Sequence, residues 1–322
     1  MDARKWILVA LCLTGCHQAA RPAVELPVAK EWSFADGEVR SMKFAPDGQT
    51  IALVFRSASG FSGLMTVSPD AVDPVKRIPD ATDPDFSADG TRFIFLLNNT
   101  LGEGDRSTQT ARRMAAPVGG TYANPHYGPD DHQVWVTIQR PGVGDSCRVM
   151  DFPKNIALTI MPDPPGVTVA WFGYLEKQAA AVYRAPQSCT LQITDKVVYQ
   201  WKNPQGGPIF ALTGGRLLFY DQDWILWSGS HQALRHLGAQ PRPDLTALAV
   251  SPDGTRLAWA PPGGGIFLGN PGNENGQKIQ SLSFVSGLAF SLKGDQLVVA
   301  THRTSADGQK RTVLDLLKLP PL

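Results

Sequence analysis

Histidines, cysteines and short proline-bearing polar loops are the groups of this chain equipped for chemistry. The histidines are His17, His126, His132, His231, His236 and His302. A neutral imidazole can hold a metal or move a proton near neutral pH. These six are scattered, and only His126 directly precedes a bulky residue of the recurring pattern described below, so no metal site is expected. Five loops carry more: Asp83-Pro84-Asp85, Asn124-Pro125-His126, Asp163-Pro164-Pro165, Asn203-Pro204-Gln205 and Arg242-Pro243-Asp244. Proline stiffens each loop, and carboxylate, amide or imidazole groups offer hydrogen bonds. Asp83, Asp85, Asn124, His126, Asp163 and Asp244 are therefore candidate binding residues, although plain turn chemistry accounts for the same composition equally well. Gly60-Phe61-Ser62-Gly63 and Gly229-Ser230-His231 approach a nucleophile elbow but lack its spacing. There is no H-E-x-x-H, no C-x-x-C and no phosphate-cradling glycine loop. No catalytic residue and no cofactor is expected.

The elements that must position these loops follow from a repeat. Phe44, Phe86, Tyr127, Phe172, Phe210, Val250 and Phe290 lie 42, 41, 45, 38, 40 and 40 residues apart. Four of them open plain turn motifs: Phe44-Ala45-Pro46-Asp47-Gly48, Phe86-Ser87-Ala88-Asp89-Gly90, Val250-Ser251-Pro252-Asp253-Gly254 and Phe290-Ser291-Leu292-Lys293-Gly294. Tyr127-Gly128-Pro129-Asp130-Asp131 has lost the glycine, and Phe172 and Phe210 head worn copies. Proline, aspartate and glycine in that order make a tight hairpin turn. Seven to nine residues after each anchor stand three consecutive apolar residues, from Ile51-Ala52-Leu53 to Leu297-Val298-Val299. Side chains on a strand alternate between faces, so a strand apolar at three successive positions is buried on both. Blades packed face to face around an axis do this, and a period near 40 residues is that of a β-propeller. An all-β, seven-bladed β-propeller over residues 28–322 is expected, in preference to six or eight blades. The last repeat has one further strand, Thr312 to Lys318, so the stretch from Val28 to Trp32 is expected to supply the missing strand and close the ring. Asn98 to Arg113, the longest non-apolar stretch, reads as a projecting loop.

The chain begins with an address. A basic start at Arg4-Lys5 and an apolar run from Trp6 to Leu13 end in Leu13-Thr14-Gly15-Cys16. Eight apolar residues are too few to span a bilayer as a helix, and the order of features resembles a bacterial lipoprotein signal. The resemblance implies cleavage after residue 15, lipidation of Cys16 and a lipidated tether over residues 16–27. His17 in place of aspartate favours the outer membrane of a Gram-negative cell, facing the periplasm. That compartment is oxidising, which leaves Cys147 and Cys189 as an even pair. Each opens a strand at a similar phase of neighbouring repeats. A disulfide between them would tie the third blade to the fourth. Two reduced thiols on separate strands are the alternative, and a Cα separation beyond about 7 Å would exclude the bond.

Without residues 1–15 the chain has 28 basic and 28 acidic side chains, so no basic nucleic-acid surface is expected. The turn motif preceded by Asp-Pro, as in Asp83-Pro84-Asp85-Phe86-Ser87-Ala88-Asp89-Gly90, resembles the repeat of TolB-like WD-repeat propellers. The likeness covers most of residues 40–302 and implies the fold and a tendency to bind proteins or peptides in the periplasm. It implies no functional residues, because TolB itself has six blades behind an α/β domain. The expected function is a membrane-anchored envelope scaffold that binds a protein, peptide or other ligand. The alternative is a propeller lyase or hydrolase acting on an extracellular polymer.

Overall fold

The computed structural model describes residues 24–68, 76–105, 111–129, 132–152, 154, 156–159, 161, 164–175, 178–202, 207–228, 233–273 and 276–321. Strands follow the apolar runs, and glycines and Asp-Gly pairs punctuate them. Seven four-stranded antiparallel sheets result, and no helix occurs among the described residues. The inner strands are Gly37–Phe44, Ala81–Phe86, Thr121–Tyr127, Thr168–Leu175, Ile209–Leu212, Ala247–Val250 and Val285–Phe290. They number the blades one to seven. All seven run the same way along the central channel, from an upper face to a lower face where the turn motifs lead into the second strands.

The apolar triplets lie on the second strands, and all twenty-one side chains are buried. Their distribution over the core explains the ring. The first and third members of each triplet face the preceding blade and the middle member faces the following one. Ile51 and Leu53 pack with blade seven while Ala52 packs with blade two. Phe93 and Phe95 face blade one while Ile94 faces blade three. The rule holds around the circle to Leu297 and Val299 against blade six and Val298 against blade one. Seven apolar clusters thus fill seven interfaces. At roughly 1.5–3 kcal/mol for each large side chain buried, these interfaces are the main favourable term of the fold.

Closure is as expected. Val28–Ala35 pairs antiparallel with Lys310–Lys318, from Val28 opposite Leu317 to Ala35 opposite Arg311, so blade seven is built from both ends of the chain. Trp32 and Phe34 of that strand enter the interface with blade one. Arg303 bonds both Glu31, at 3.0 Å, and the fully buried Asp315, pinning the closing strand through charge. Burial raises the Asp315 pKa and Arg303 opposes the shift.

The turns show why their residues recur. In five of them the amide after the anchor donates across the loop to the carbonyl five residues on, as from Ser251 to Arg256 at 3.0 Å. Gly48, Gly90, Gly254 and Gly294 sit at φ between 67° and 70°, which glycine reaches without a Cβ clash. Asp47, Asp89 and Asp253 accept the following amides, as Asp89 does from Thr91 at 2.9 Å. Blades four and five depart from the pattern because their hairpins are shorter. Leu175 pairs with Gln178 across two residues, and Leu212 pairs with Arg216 across three.

Two expectations are corrected here. The described residues between 98 and 113 form strands in place of the expected projecting loop. Asn98 and Asn99, at φ 46° and 61°, turn the chain into Thr100–Asp105, which pairs with Ala111–Ala115. The strand is poor in apolar residues because its neighbour supplies the bulk. The Phe95 and Phe93 rings lie over Gly102 and Gly104, where a Cβ would meet ring atoms at 2.6 and 2.7 Å. The disulfide is also absent. Cys147 and Cys189 are separate buried thiols. Cys147 faces blade four from blade three, and Cys189 faces blade five from blade four. Equal phase in successive blades means equal direction, so the two are set apart by a blade spacing of roughly 10 Å, too far for a bridge.

Two outcomes follow. Gly48 has open space where a Cβ would sit, whereas a Cβ at Gly254 would lie 2.4 Å from Leu212 Cδ1. Gly48→Ala should cost about 1 kcal/mol from backbone strain alone, and Gly254→Val about 2–3 kcal/mol, read as urea midpoints at unchanged slope. Equal midpoints would refute the turn geometry. Hydrogen bonds from Ser87 and Thr91 hold Asp89 at a pKa of about 2, below the ordinary 3.8. A lowered folded-state pKa stabilises above the unfolded value and is lost as pH falls from about 4 to about 2. Asp89→Asn should therefore flatten that part of the stability–pH curve and leave its slope at neutral pH unchanged.

Candidate functional site at the channel

Of the six loop residues nominated as binding candidates, four come together between blades two and three. They do so from within the inner strands, not from loops leading into them. Pairing with the second strand skips between Thr82 and Asp85 and between Ala123 and His126. Asp83-Pro84 and Asn124-Pro125 are thus β-bulges. Asp83 and Asn124 adopt φ 49° and 50°, a conformation Asp and Asn tolerate better than most residues. A bulge re-aims the side chains around it, so each Asp-Pro-Asp or Asn-Pro-His triplet splits between two sites.

Asp83 and Asn124 turn to the upper face. With Asp80, Thr82, Asn98, Asn99 and Gln139 they line a cleft of about 330 Å³. Two carboxylates and four amides in one cleft present both donors and acceptors, which suits peptide groups or hydroxyls. The Asn98-Asn99 hairpin is the part missed from sequence. Its signal was a paired Asn turn directly after the apolar run Phe93 to Leu97.

Asp85 and His126 turn into the wall of the channel. Asp85 is 7% exposed. One oxygen is ion-paired to Lys43 of blade one, and the other accepts the Tyr127 amide of blade three at 2.9 Å. Behind it the Tyr127 hydroxyl donates to Glu103 at 3.1 Å, and Arg92 bonds the same oxygen at 3.2 Å while lying over the Tyr127 ring. Burial and then the Glu103 charge push the Tyr127 pKa up, so the phenol keeps its proton. His126 donates from Nδ1 to the Asn124 carbonyl, at 3.2 Å, when protonated there. Its Nε2 is shielded from solvent and has no hydrogen-bond partner, and the ring packs with Trp135 and Phe172. Burial lowers the His126 pKa, with Asp85 pulling the other way, so the ring is neutral at neutral pH.

The cluster therefore bolts three blades together. A general acid or base needs an oxygen or nitrogen facing its substrate, and both Asp85 oxygens are engaged. Among the described residues no three His, Cys, Asp or Glu side chains converge as a metal would require. Asp244 is exposed in the loop before blade six and joins neither group. Asp163, Cys16 and the Asn203–Gln205 loop lie outside the described residues.

The rest of the channel has another character. A cavity of about 750 Å³ runs along it, lined by Arg40, Met42 and Lys43 of blade one and by inner strands of blades five to seven. Phe210, Leu212, Leu248, Val250, Leu288 and Phe290 make that wall apolar. The channel is thus polar on one side and apolar on the other.

No protein-family profile and no curated protein sequence matches the chain. Solved structures do. An oligogalacturonate lyase in complex with manganese superposes with a TM-score of 0.67 at 11% identity, covering 91% of this chain and 98% of that one. The β-propeller domain of Myceliophteria thermophila Cps50 (Swd1) gives 0.65 at 11% identity, covering 90% and 100%. At such identity the likeness is one of fold, the seven-bladed propeller.

The bolt is testable by dissection. Asp85→Ala leaves the Tyr127 amide unpaired in the wall and should cost about 2–3 kcal/mol. Lys43 is half exposed and can return to water, and its loss leaves the buried Asp85 carboxylate to the Tyr127 amide, so Lys43→Ala should cost less than Asp85→Ala. Equal losses in chemical denaturation would mean that the ion pair, not the amide, carries the contact.

Proposed function

We propose that this chain is a lipid-anchored propeller of the bacterial cell envelope, outer membrane included, that binds a protein or peptide partner at the upper end of its channel and performs no catalysis. The observation that carries the binding reading is the upper cleft. Two bulged inner strands and an Asn-Asn hairpin direct four amides and two carboxylates into one space on a rigid scaffold. Polar groups held by strands are already ordered, so a partner meets little entropic cost in engaging them. The Asp-Pro-led turn repeats, similar to those of TolB-like propellers, support a partner of the same chemical kind. The lipobox-like Leu13-Thr14-Gly15-Cys16 supports anchoring through acylated Cys16.

The lyase or hydrolase reading has less behind it. The manganese lyase passes on a fold and nothing more, and Asp85 in the channel wall holds Lys43 and the Tyr127 amide.

A photo-crosslinking residue at Gln139, inside the cleft, should give discrete adducts in intact cells. The same residue at Val197, on the outer part of blade four, should not. Asn124→Lys should abolish the Gln139 adducts without changing protein level. Identical adduct patterns from the two positions, or adducts indifferent to Asn124→Lys, would reject the cleft as the binding site. Cys16→Ala should move the chain from the membrane to the soluble fraction, and retention on membranes would reject the anchor.

A further inference from the structure

The start of the described chain is not a free tether. The Val24 and Leu26 amides donate to the Lys278 and Ile279 carbonyls, at 3.0 and 3.2 Å, on the outer strand of blade six. Gln280 Nε2 donates to the Leu26 carbonyl at 2.6 Å, and Leu26 packs into the wedge between blades six and seven. The expected tether of residues 16–27 is thus shortened by four residues. From Cys16 to Val24 the chain can span at most roughly 28 Å, and it leaves the ring at the rim of blades six and seven.

The same corner has an altered turn. Asp47, Asp89 and Asp253 stand at the tips of the lower-face turns of blades one, two and six, and blade seven places Lys293 there instead. Leu292 takes the place of the preceding proline or alanine and is 45% exposed. Register puts Val28, Leu317, Leu297 and Phe290 in one row across blade seven. Val28, Lys318 and the Leu292-Lys293 turn therefore share the lower end of that sheet. Val24 and Val28 are also exposed. The acidic groups nearby are Glu25, Asp295 and Asp253 of the adjacent blade-six turn, whose Ser251 lies against Gly294; Asp295 accepts from Ser291, and Asp253 accepts from Ser251 and Thr255.

We infer that the lower corner of blade seven rests on an anionic lipid surface, with Leu292 entering the headgroup layer and Lys293 and Lys318 facing its charge. This rests on Cys16 as the anchor. Charge then sets the tilt. An anionic surface attracts Lys293 and repels Asp47 and Asp89, over a screening length of about 8 Å. The ring stands on blade seven and does not lie flat. The upper cleft between blades two and three is on the other face and across the channel, so it stays open to a partner.

The test uses the mature acylated protein in phosphatidylethanolamine–phosphatidylglycerol vesicles that carry a doxyl-labelled acyl chain. Leu292→Cys and, on the upper face, Val118→Cys are labelled with bimane. Cys147 and Cys189 are buried and leave these as the reactive sites. Doxyl quenching should be at least threefold stronger at position 292 than at 118, and adding Lys293→Asp should reduce it at least twofold without releasing the protein. Equal quenching at 292 and 118, or no effect of Lys293→Asp, with the protein still sedimenting with the vesicles, would overturn the orientation and leave the anchor standing. Failure to sediment would overturn both.

Discussion

The fold depends on second strands that are buried on both faces. A strand apolar at three successive positions has no wet side to offer, so each blade must be covered front and back. A row of such blades has two uncovered ends, and a ring has none. The requirement recurs at the seam. Trp32 and Phe34 have to come from the N-terminal strand because the C-terminal repeat ends one strand short. Arg303 then ties the two termini through Glu31 and the buried Asp315. Paired in this way, Asp315 is tolerable inside the sheet, and an unpaired carboxylate there would be costly.

Features governed by a repeating constraint were legible in the sequence. The anchors and the triplets each answer one local demand seven times over and the turn glycines answer theirs in four blades, and agreement among copies makes the demand visible. Features set by one blade's neighbours were not. Gly102 and Gly104 look like loop residues until the Phe95 and Phe93 rings are placed over them. Cys147 and Cys189 look like a pair because they share a phase, yet shared phase is what turns them to the same side of successive blades. The binding candidates were half legible. Asp83 and Asn124 were recognised by type, but spacing does not reveal that a bulge sends Asp83 up and Asp85 into the wall.

That split separates stability from recognition within three residues. Asp85 and His126 are occupied by neighbouring blades, and their chemistry is spent on holding Lys43, the Tyr127 amide and the aromatic packing in place. Asp83 and Asn124, two residues earlier, face space. Because the same bulges create both arrangements, the cleft inherits the rigidity of the bolt below it. A partner that binds there meets groups whose positions are fixed by contacts it never touches.

The two sides of the channel impose a direction on whatever binds. The polar cleft opens on the upper face of blades two and three, while the channel cavity has an apolar wall on blades five to seven. An extended segment with polar groups along one edge and apolar side chains along the other satisfies both in one orientation, and reversal buries its polar edge against Leu248 and Leu288. Burying unpaired polar groups there costs more than the apolar contacts return. Discrimination of this kind needs no catalytic group and no moving part. It needs a ring in which unlike blades are held at fixed distances, which is what seven apolar wedges and one closing strand supply.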